Sequence, residues 1–175
     1  MKRTVAFILV LLAAVFVYRS VSSAMARNDA RTVPQKAEAE LSKARYELVI
    51  ARVSWEEARA QAEEMGGHLA VLHSVDDYDT LNSLCRENAV DYCWLGAVAD
   101  ENGSFTTWIT GEAMTADDFP WASGEPSGRD LDGTPEKYLC WWPLGEGTLN
   151  DQRNDILSVI SPEKTVAFLV EYSGE

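Results

Sequence analysis

The sequence predicts a single α+β domain that follows a short leader. Two segments with helical periodicity come early, short segments with strand-like patterns come mostly later, and a long irregular segment rich in Gly, Pro, Ser and Asp lies among the last strands. Helices grouped before short antiparallel strands are typical of the α+β class. A chain of 175 residues is long enough for one such domain and a leader.

The first 26 residues have the pattern of a secretory signal peptide. Lys2 and Arg3 give a positive start, 14 apolar residues fill positions 5–18, and small residues at 24–26 match a signal-peptidase site. A helix that spans the hydrocarbon core needs about 20 apolar residues, so a cleaved leader is favoured over a permanent anchor. Because Arg19 interrupts the region before the cleavage site, an uncleaved N-terminal anchor stays open. We therefore expect an exported protein that is periplasmic, secreted or on the cell surface.

Residues 27–43 are polar and rich in alanine, and they predict a linker to a domain at 44–173. The net charge of the whole chain is −13. Such an acidic protein does not bind nucleic acid or anionic lipid by general electrostatic attraction. We expect membrane contact only through an uncleaved N-terminal segment.

The elements of the domain follow from periodicity, caps and turn residues. Ser54 and Glu57 form a capping box, and Ser74 and Asp77 have the same spacing at the start of a second helix. A turn is predicted at 100–103. The predicted order is strand 46–53, helix 54–65, strand 69–72, helix 74–88, and strands 92–98, 105–109, 138–142 and 165–172.

The segment from Trp121 to Asp151 is the candidate functional region. Its composition predicts a long loop, and long ordered loops are usually functional. Six carboxylates and one base, Arg129, lie between Asp117 and Glu136. Calcium takes about 6–8 oxygen ligands from carboxylates, amides, hydroxyls and backbone carbonyls. The candidate ligands are Glu125, Ser127, Glu136, Asn150 and Asp151.

Two adjacent tryptophans are the candidate aromatic part of the site. Trp141 and Trp142 end a predicted strand, so one side chain is expected to be buried and the other exposed near the loop. We assign Trp142 as the indole that stacks on a ligand.

The two histidines are isolated and no Gly-x-Ser-x-Gly motif is present, so we expect no enzyme. Glu125 and Glu136 imitate a glycosidase pair only in residue type.

The three cysteines lie in apolar patterns, so buried thiols are the first expectation. In an exported protein, pairing is the alternative. Cys85 with Cys93 and Cys93 with Cys140 are the two candidate bridges, and one thiol stays unpaired in a monomer.

An ordered set of motifs resembles the C-type lectin-like domain over about residues 46–172. Its parts are Ser54-Trp55-Glu56-Glu57-Ala58, Gly66-Gly67-His68-Leu69-Ala70, Trp94-Leu95-Gly96-Ala97, Trp121 through Pro126, Asn150-Asp151 and Phe168-Leu169-Val170-Glu171. The positions that match the family's usual disulfides are Ala62 with Val170, and Tyr138 with a residue near Asn154. None of these positions is a cysteine, so both usual bridges are missing, and in this respect the chain is more similar to bacterial members of the family.

The resemblance implies a function. In calcium-dependent members, a Glu-Pro-Asn motif, a later Glu and an Asn-Asp pair hold one Ca²⁺, and two adjacent sugar hydroxyls complete its shell. The matching positions are the five candidate ligands given above. Ser127 stands where the family has Asn or Asp, Leu149 replaces a Trp, and Asn154-Asp155 offers a competing register for the last pair.

We therefore expect an exported module that binds a glycan or glycoconjugate through a loop Ca²⁺ site. The alternative is a metal-independent lectin-like domain that binds a protein surface or has a structural role. The sequence does not name the sugar.

Overall fold

The computed structural model describes residues 45–115 and 118–172. The predicted signal peptide at 1–26 and linker at 27–43 lie outside the described residues. In the described part of the chain, no helix is long and apolar enough to cross a membrane. The elements are β1 (Tyr46–Ile50), α1 (Trp55–Glu64), β2 (His68–Leu69), α2 (Val75–Glu87), β3 (Tyr92–Val98), β4 (Tyr138–Trp142), β5 (Thr148–Gln152), a 3₁₀ turn (Ile156–Ser158) and β6 (Val166–Glu171).

The strands form one mixed sheet in the order β1-β6-β3-β4-β5, and β2 pairs with β6. β1 lies at one edge of the sheet. β3 and β6 are parallel, with Tyr92 opposite Val166 and Trp94 opposite Phe168. The described strands make four antiparallel pairings, as the sequence predicts, and one parallel pairing, between β3 and β6. The parallel pairing arises because the last strand returns to the centre of the sheet, between β1 and β3, instead of joining its neighbour in sequence.

The helix α1 follows its sequence signals closely. Ser54 is the N-cap, and both halves of the capping box with Glu57 are present. Ala62 on its inner face is fully buried in the same apolar cluster as Val170. The two positions that match a family disulfide therefore belong to one packed apolar cluster. Met65 ends the predicted helix 54–65, but in the structure it is the C-cap and is 38% exposed.

The helix α2 ends in a Schellman motif with an unusual residue. The Ala89 N–H donates to the Arg86 carbonyl at 3.1 Å, and the Val90 N–H donates to the Cys85 carbonyl at 2.9 Å. Ala89 has a φ of 50°, the left-handed conformation that this motif requires. Glycine adopts that conformation without the steric cost that a Cβ brings.

We expect Ala89→Gly to stabilise the domain by about 0.5–1 kcal/mol, because the αL cost is removed. Gly66→Ala is the matched opposite change, since Gly66 has a φ of 85° and an added Cβ has no heavy atom within 4 Å. That variant should lose about 1 kcal/mol through backbone strain alone. Urea unfolding of both variants tests the account, and a shift of the same sign in both would contradict it.

Two parts of the predicted topology differ from the structure. The predicted strand at 105–109 contains only isolated bridges, at Thr107 and Trp108. The Trp108 N–H donates to the Glu112 carbonyl at 2.9 Å, so the chain turns there and does not extend. The segment from Trp121 to Asp151 contains β4, which the sequence predicts. It also contains most of β5, which the sequence does not predict. The two ligand candidates Asn150 and Asp151 therefore lie on a strand.

Candidate functional site

Backbone pairing along β5 places the start of the acidic segment beside Asn150 and Asp151. The Leu149 N–H donates to the Pro120 carbonyl at 2.7 Å, and the Ala122 N–H donates to the Leu149 carbonyl at 2.9 Å. A turn follows, in which the Glu125 N–H donates to the Ala122 carbonyl at 3.0 Å. The Glu125–Pro126 peptide bond is cis. The Glu-Pro-Ser segment is therefore tied to the strand that carries the last two candidate ligands.

Three of the predicted carboxylates converge on Ser127. The Ser127 N–H lies 2.8 Å from Glu125 Oε2 and 3.0 Å from Asp151 Oδ1. The Ser127 hydroxyl donates to Glu136 Oε2 at 3.2 Å. Four of the five predicted ligands are thus joined in one hydrogen-bonded group, which we call the carboxylate cluster: Glu125, Ser127, Glu136 and Asp151.

Asp151 is fully buried at the centre of this cluster. Its two carboxylate oxygens accept hydrogen bonds from the Ser127 N–H and, at 2.6 Å, from the Gly128 N–H. Burial and the neighbouring Glu125 carboxyl raise the pKa of Asp151 above its ordinary value, although the two N–H donors oppose the shift. The folded chain therefore favours a partner that relieves negative charge here.

Glu136 shows the strain of the cluster most clearly. Its side chain is 7% exposed, and burial together with the Asp151 carboxylate raises its pKa to about 7. Asp130 and Glu125 add to the shift, and the Ser127 hydroxyl opposes it. At neutral pH, ionising this buried carboxyl group therefore costs free energy in the folded protein.

Asn150 precedes Asp151 on β5 and has an unused side-chain oxygen. Its Nδ2 donates to the Asp151 carbonyl at 2.8 Å, whereas its buried Oδ1 has no hydrogen-bond partner in the described structure. Buried polar atoms without a partner are rare in native proteins and call for an explanation such as an ion. The fifth predicted ligand thus has a free acceptor atom.

The cluster has no cationic partner in the described part of the chain. None of the salt bridges found there involves Glu125, Glu136 or Asp151. Among the same residues, no group of three or more His, Cys, Asp or Glu side chains has the spacing to hold a metal ion as it stands. The donor atoms therefore suit a hard cation, but their side chains do not already enclose one.

The structure does not bring Trp142 to this cluster. Trp142 ends β4 opposite Thr148, whereas Glu136 precedes the start of β4. Its ring is half-buried and stacks against Tyr92 with centroids 6.3 Å apart. The alternation itself holds, because Trp141 is fully buried. The alternation predicts which face of the sheet Trp142 lies on, but it does not predict how far along β4 the residue lies from the cluster.

The competing pair at 154–155 has other partners. Asn154 Nδ2 donates to Glu56 Oε2 at 3.0 Å. The Asp155 carboxylate accepts two hydrogen bonds from the Arg153 guanidinium, at 2.7 and 3.0 Å. Asn154 and Asp155 are therefore engaged elsewhere, whereas Asp151 belongs to the carboxylate cluster.

Arg153 is a site residue that the sequence reasoning missed. It is 8% exposed, and it also contacts Asp132 at 2.9 Å and Asp130 at 3.4 Å. The guanidinium thereby joins the acidic loop to β5 and the turn after it. The excess of Asp in that loop indicates the need for a nearby base, and Arg153 is one in the sequence. Only the fold shows that Arg153 and these aspartates are in contact.

We expect Arg153→Ala to lower the melting temperature by several degrees, because three aspartates lose their common partner. Arg153→Lys should recover only part of the loss, since an ammonium group cannot bind Asp155 with two parallel bonds. Thermal unfolding at low and high salt tests this. Equal melting temperatures for the Ala and wild-type proteins would show that the network does not stabilise the loop.

Comparisons with known proteins agree on the fold. A family model described as the lectin C-type domain matches residues 51–155. The hepatic lectin of Gallus gallus is 27% identical over 101 residues, which cover 58% of this chain and 46% of that protein. The match thus spans less than half of the relative's length. Lectins are not enzymes, in line with the prediction of no catalytic role.

Solved structures show the same architecture. C-type lectin CEL-I from Cucumaria echinata has a TM-score of 0.59 at 18% identity, covering 74% of this chain and 90% of that one. The cow CD23 carbohydrate-recognition domain, solved in the presence of a GlcNAc2Man3 oligosaccharide, has a TM-score of 0.56 at 20% identity, covering 74% and 88%. At this identity the likeness concerns the fold, and it confirms the predicted α+β architecture.

Proposed function

The chain belongs to the C-type lectin domain family, and on that premise we propose that it binds carbohydrate through a Ca²⁺ ion. The ion would be held by oxygen atoms of the carboxylate cluster and Asn150. Family membership supports a lectin-like role. The single observation that carries the metal proposal is the meeting at Ser127 of three carboxylates that have no ion-pair partner among the described residues.

The donor set fits calcium chemically. Carboxylate, amide and hydroxyl oxygens are hard ligands, and Ca²⁺ accepts irregular sets of them. Zinc and other softer metals prefer nitrogen or sulfur, which the cluster lacks. The raised pKa of Glu136 and the unpartnered Asn150 Oδ1 are both features that a bound cation would relieve. The same two features are costs in a protein without the ion.

Binding requires side chains to turn. The Asp151 oxygens already accept backbone hydrogen bonds, but each carboxylate oxygen has further acceptor capacity. Glu125 and Glu136 have the longer side chains and can rotate toward an ion that Asp151 and Asn150 hold in place. Because this reorganisation costs free energy, we propose a weak site, with a Kd in the 10⁻⁴–10⁻³ M range of extracellular modules.

Sugar binding follows from the same groups. Bound Ca²⁺ would supply positive charge and coordination positions for two adjacent sugar hydroxyls. Glu125 is only partly buried and Ser127 is exposed, so the cluster is open to solvent on that side. Their oxygens are acceptors for the hydroxyl protons of a sugar. Metal and sugar affinity are therefore expected to fall together on chelation.

Location outside the cytoplasm remains part of the proposal. It is supported by the leader pattern at 1–26. The weak calcium site proposed above would suit a compartment with millimolar Ca²⁺.

A glycan array read in millimolar Ca²⁺ and again in EDTA tests the function. We expect Ca²⁺-dependent binding that is lost in Glu125→Gln and Asp151→Asn. Glu63→Gln is the control, because it makes the same charge change at an exposed helical pair with Arg59. Binding that survives EDTA, or that is equal in all variants, would reject the cluster as the sugar site.

A metal-independent role is the second candidate. It is favoured by one observation, namely that both Asp151 oxygens are already satisfied by the Ser127 and Gly128 N–H groups without an ion. In that case the segment is a structural loop, and the domain binds a protein surface. No glycan signal with or without Ca²⁺, in a folded protein, would favour this candidate.

A further inference from the structure

The three cysteines are free and fully buried, but they do not lie together as a group. In the β3–β4 pairing, Cys93 is opposite Trp141, and Cys140 is opposite Trp94. Directly opposed residues share a face, and neighbouring residues point to opposite faces. Cys93 and Cys140 therefore point away from each other across the sheet. This excludes the Cys93–Cys140 bridge that the sequence left open.

Cys85 and Cys93 share the other environment. Both belong to the apolar cluster between α2 and the sheet, whereas Cys140 belongs to the cluster on the opposite face. Cys85 lies in the last turn of α2, and its carbonyl accepts the Val90 N–H. That bond turns the chain at the end of α2, and β3 begins two residues later at Tyr92. The Cys93 thiol lies within hydrogen-bonding reach of the Cys85 thiol.

We propose that Cys85 and Cys93 form a disulfide when the chain folds in the presence of a disulfide oxidant, and that Cys140 stays a free thiol. The bridge joins the end of α2 to the start of β3 through a short, ordered turn. It lies at neither of the positions that match the family's usual disulfides. This inference does not depend on calcium or sugar binding.

The chemistry is thiol–disulfide exchange with a small oxidant such as glutathione disulfide. One cysteine thiolate attacks the oxidant's disulfide, forms a mixed disulfide and releases one glutathione thiolate. The second cysteine then attacks the protein sulfur of that mixed disulfide and releases the other glutathione. Two protein S–H bonds are lost, one S–S bond forms, and the two protons are taken up by the two glutathione thiolates.

The timing follows from burial. Both thiols have no exposed surface in the folded domain, and burial raises the pKa of Cys93 well above its ordinary value. Exchange needs a thiolate that the oxidant can reach. The bridge should therefore form before the core closes, and native reduced protein should oxidise slowly.

The test refolds the full chain from denaturant, once with a glutathione redox pair rich in the disulfide and once with a reductant. Each sample is then denatured at acid pH, its free thiols are alkylated and it is analysed by peptide mass mapping. We expect one alkylated residue, Cys140, after oxidative refolding, and three after reductive refolding. A peptide that joins Cys85 to Cys93 should appear only in the first sample.

Two variants complete the test. Cys140→Ala should keep the bridge, and Cys85→Ala should leave Cys93 alkylated or as a mixed disulfide. Three alkylated cysteines in oxidised wild-type protein would overturn the proposal, as would any intramolecular bridge to Cys140. The mapping of wild-type protein decides the question even if a variant fails to fold.

Discussion

Glu136→Gln is expected to stabilise the calcium-free domain at pH 8 and to remove most of its response to Ca²⁺. The wild-type carboxylate is buried beside Asp151, which raises its pKa to about 7. A neutral amide of the same shape avoids that repulsion and still accepts the Ser127 hydroxyl. From the size of the pKa shift we expect a gain of about 1–3 kcal/mol in the free energy of unfolding in EDTA.

Opposite signs in stability and function make this prediction specific. Asp132→Asn is a useful control, because the Thr134 N–H and Arg153 lower the pKa of Asp132 to about 2. Neutralising that carboxylate should not stabilise the protein. If Glu136→Gln lowered the stability in EDTA, or kept a full Ca²⁺-dependent rise, the charge strain assigned to the cluster would be wrong.

The second large effect is a loss of stability of the calcium-free protein as the pH rises from about 5 to 8. An acid whose pKa is raised on folding binds its proton more tightly in the folded state. Its contribution is fully present below its unfolded pKa, near 4.5, and is lost as the pH rises through about 7. The raised pKa of Asp151 acts in the same direction.

Urea unfolding in EDTA at several pH values measures this loss, and Glu136→Gln isolates the contribution of Glu136. Subtracting the free energy of unfolding of one protein from that of the other removes the contribution of titrating groups that the substitution does not affect. The difference should grow with pH to about 1–3 kcal/mol and should vanish near pH 4. A difference that does not change with pH would contradict the assignment. Saturating Ca²⁺ should flatten or reverse the wild-type slope.

The elements that the sequence predicts best are those with local chemical signals. The capping box at Ser54 and the cap at Ser74 set the helix starts correctly, and the aromatic and apolar run at 138–142 is a strand with those bounds. Residues 105–109 have strand composition but turn after Trp108. Thr148–Gln152 has polar ligand-like residues but is a strand, because it pairs with β4. The presence of a continuous pairing partner, and not local composition, decides which of the two segments is a strand.

The candidate site shows the same division. The residue types and their order named four residues that the fold joins by hydrogen bonds, because side-chain oxygens of Asp, Glu and Ser are hard-cation ligands. Distances and orientation were not in the sequence. Hence Trp142 was assigned near the cluster although it lies at the other end of β4, and Arg153 was missed although it joins three aspartates.

The most direct test of the central claim is thermal unfolding of the purified protein in millimolar Ca²⁺, in Mg²⁺ and in EDTA. A ligand that binds only the folded state raises its stability by RT ln(1 + [L]/Kd), which is about 1.4 kcal/mol at ten times Kd. We expect a rise of several degrees in Ca²⁺ and little change in Mg²⁺, because Mg²⁺ needs a more regular shell. Identical melting curves in all three solutions would contradict a calcium site at Ser127 and its carboxylates.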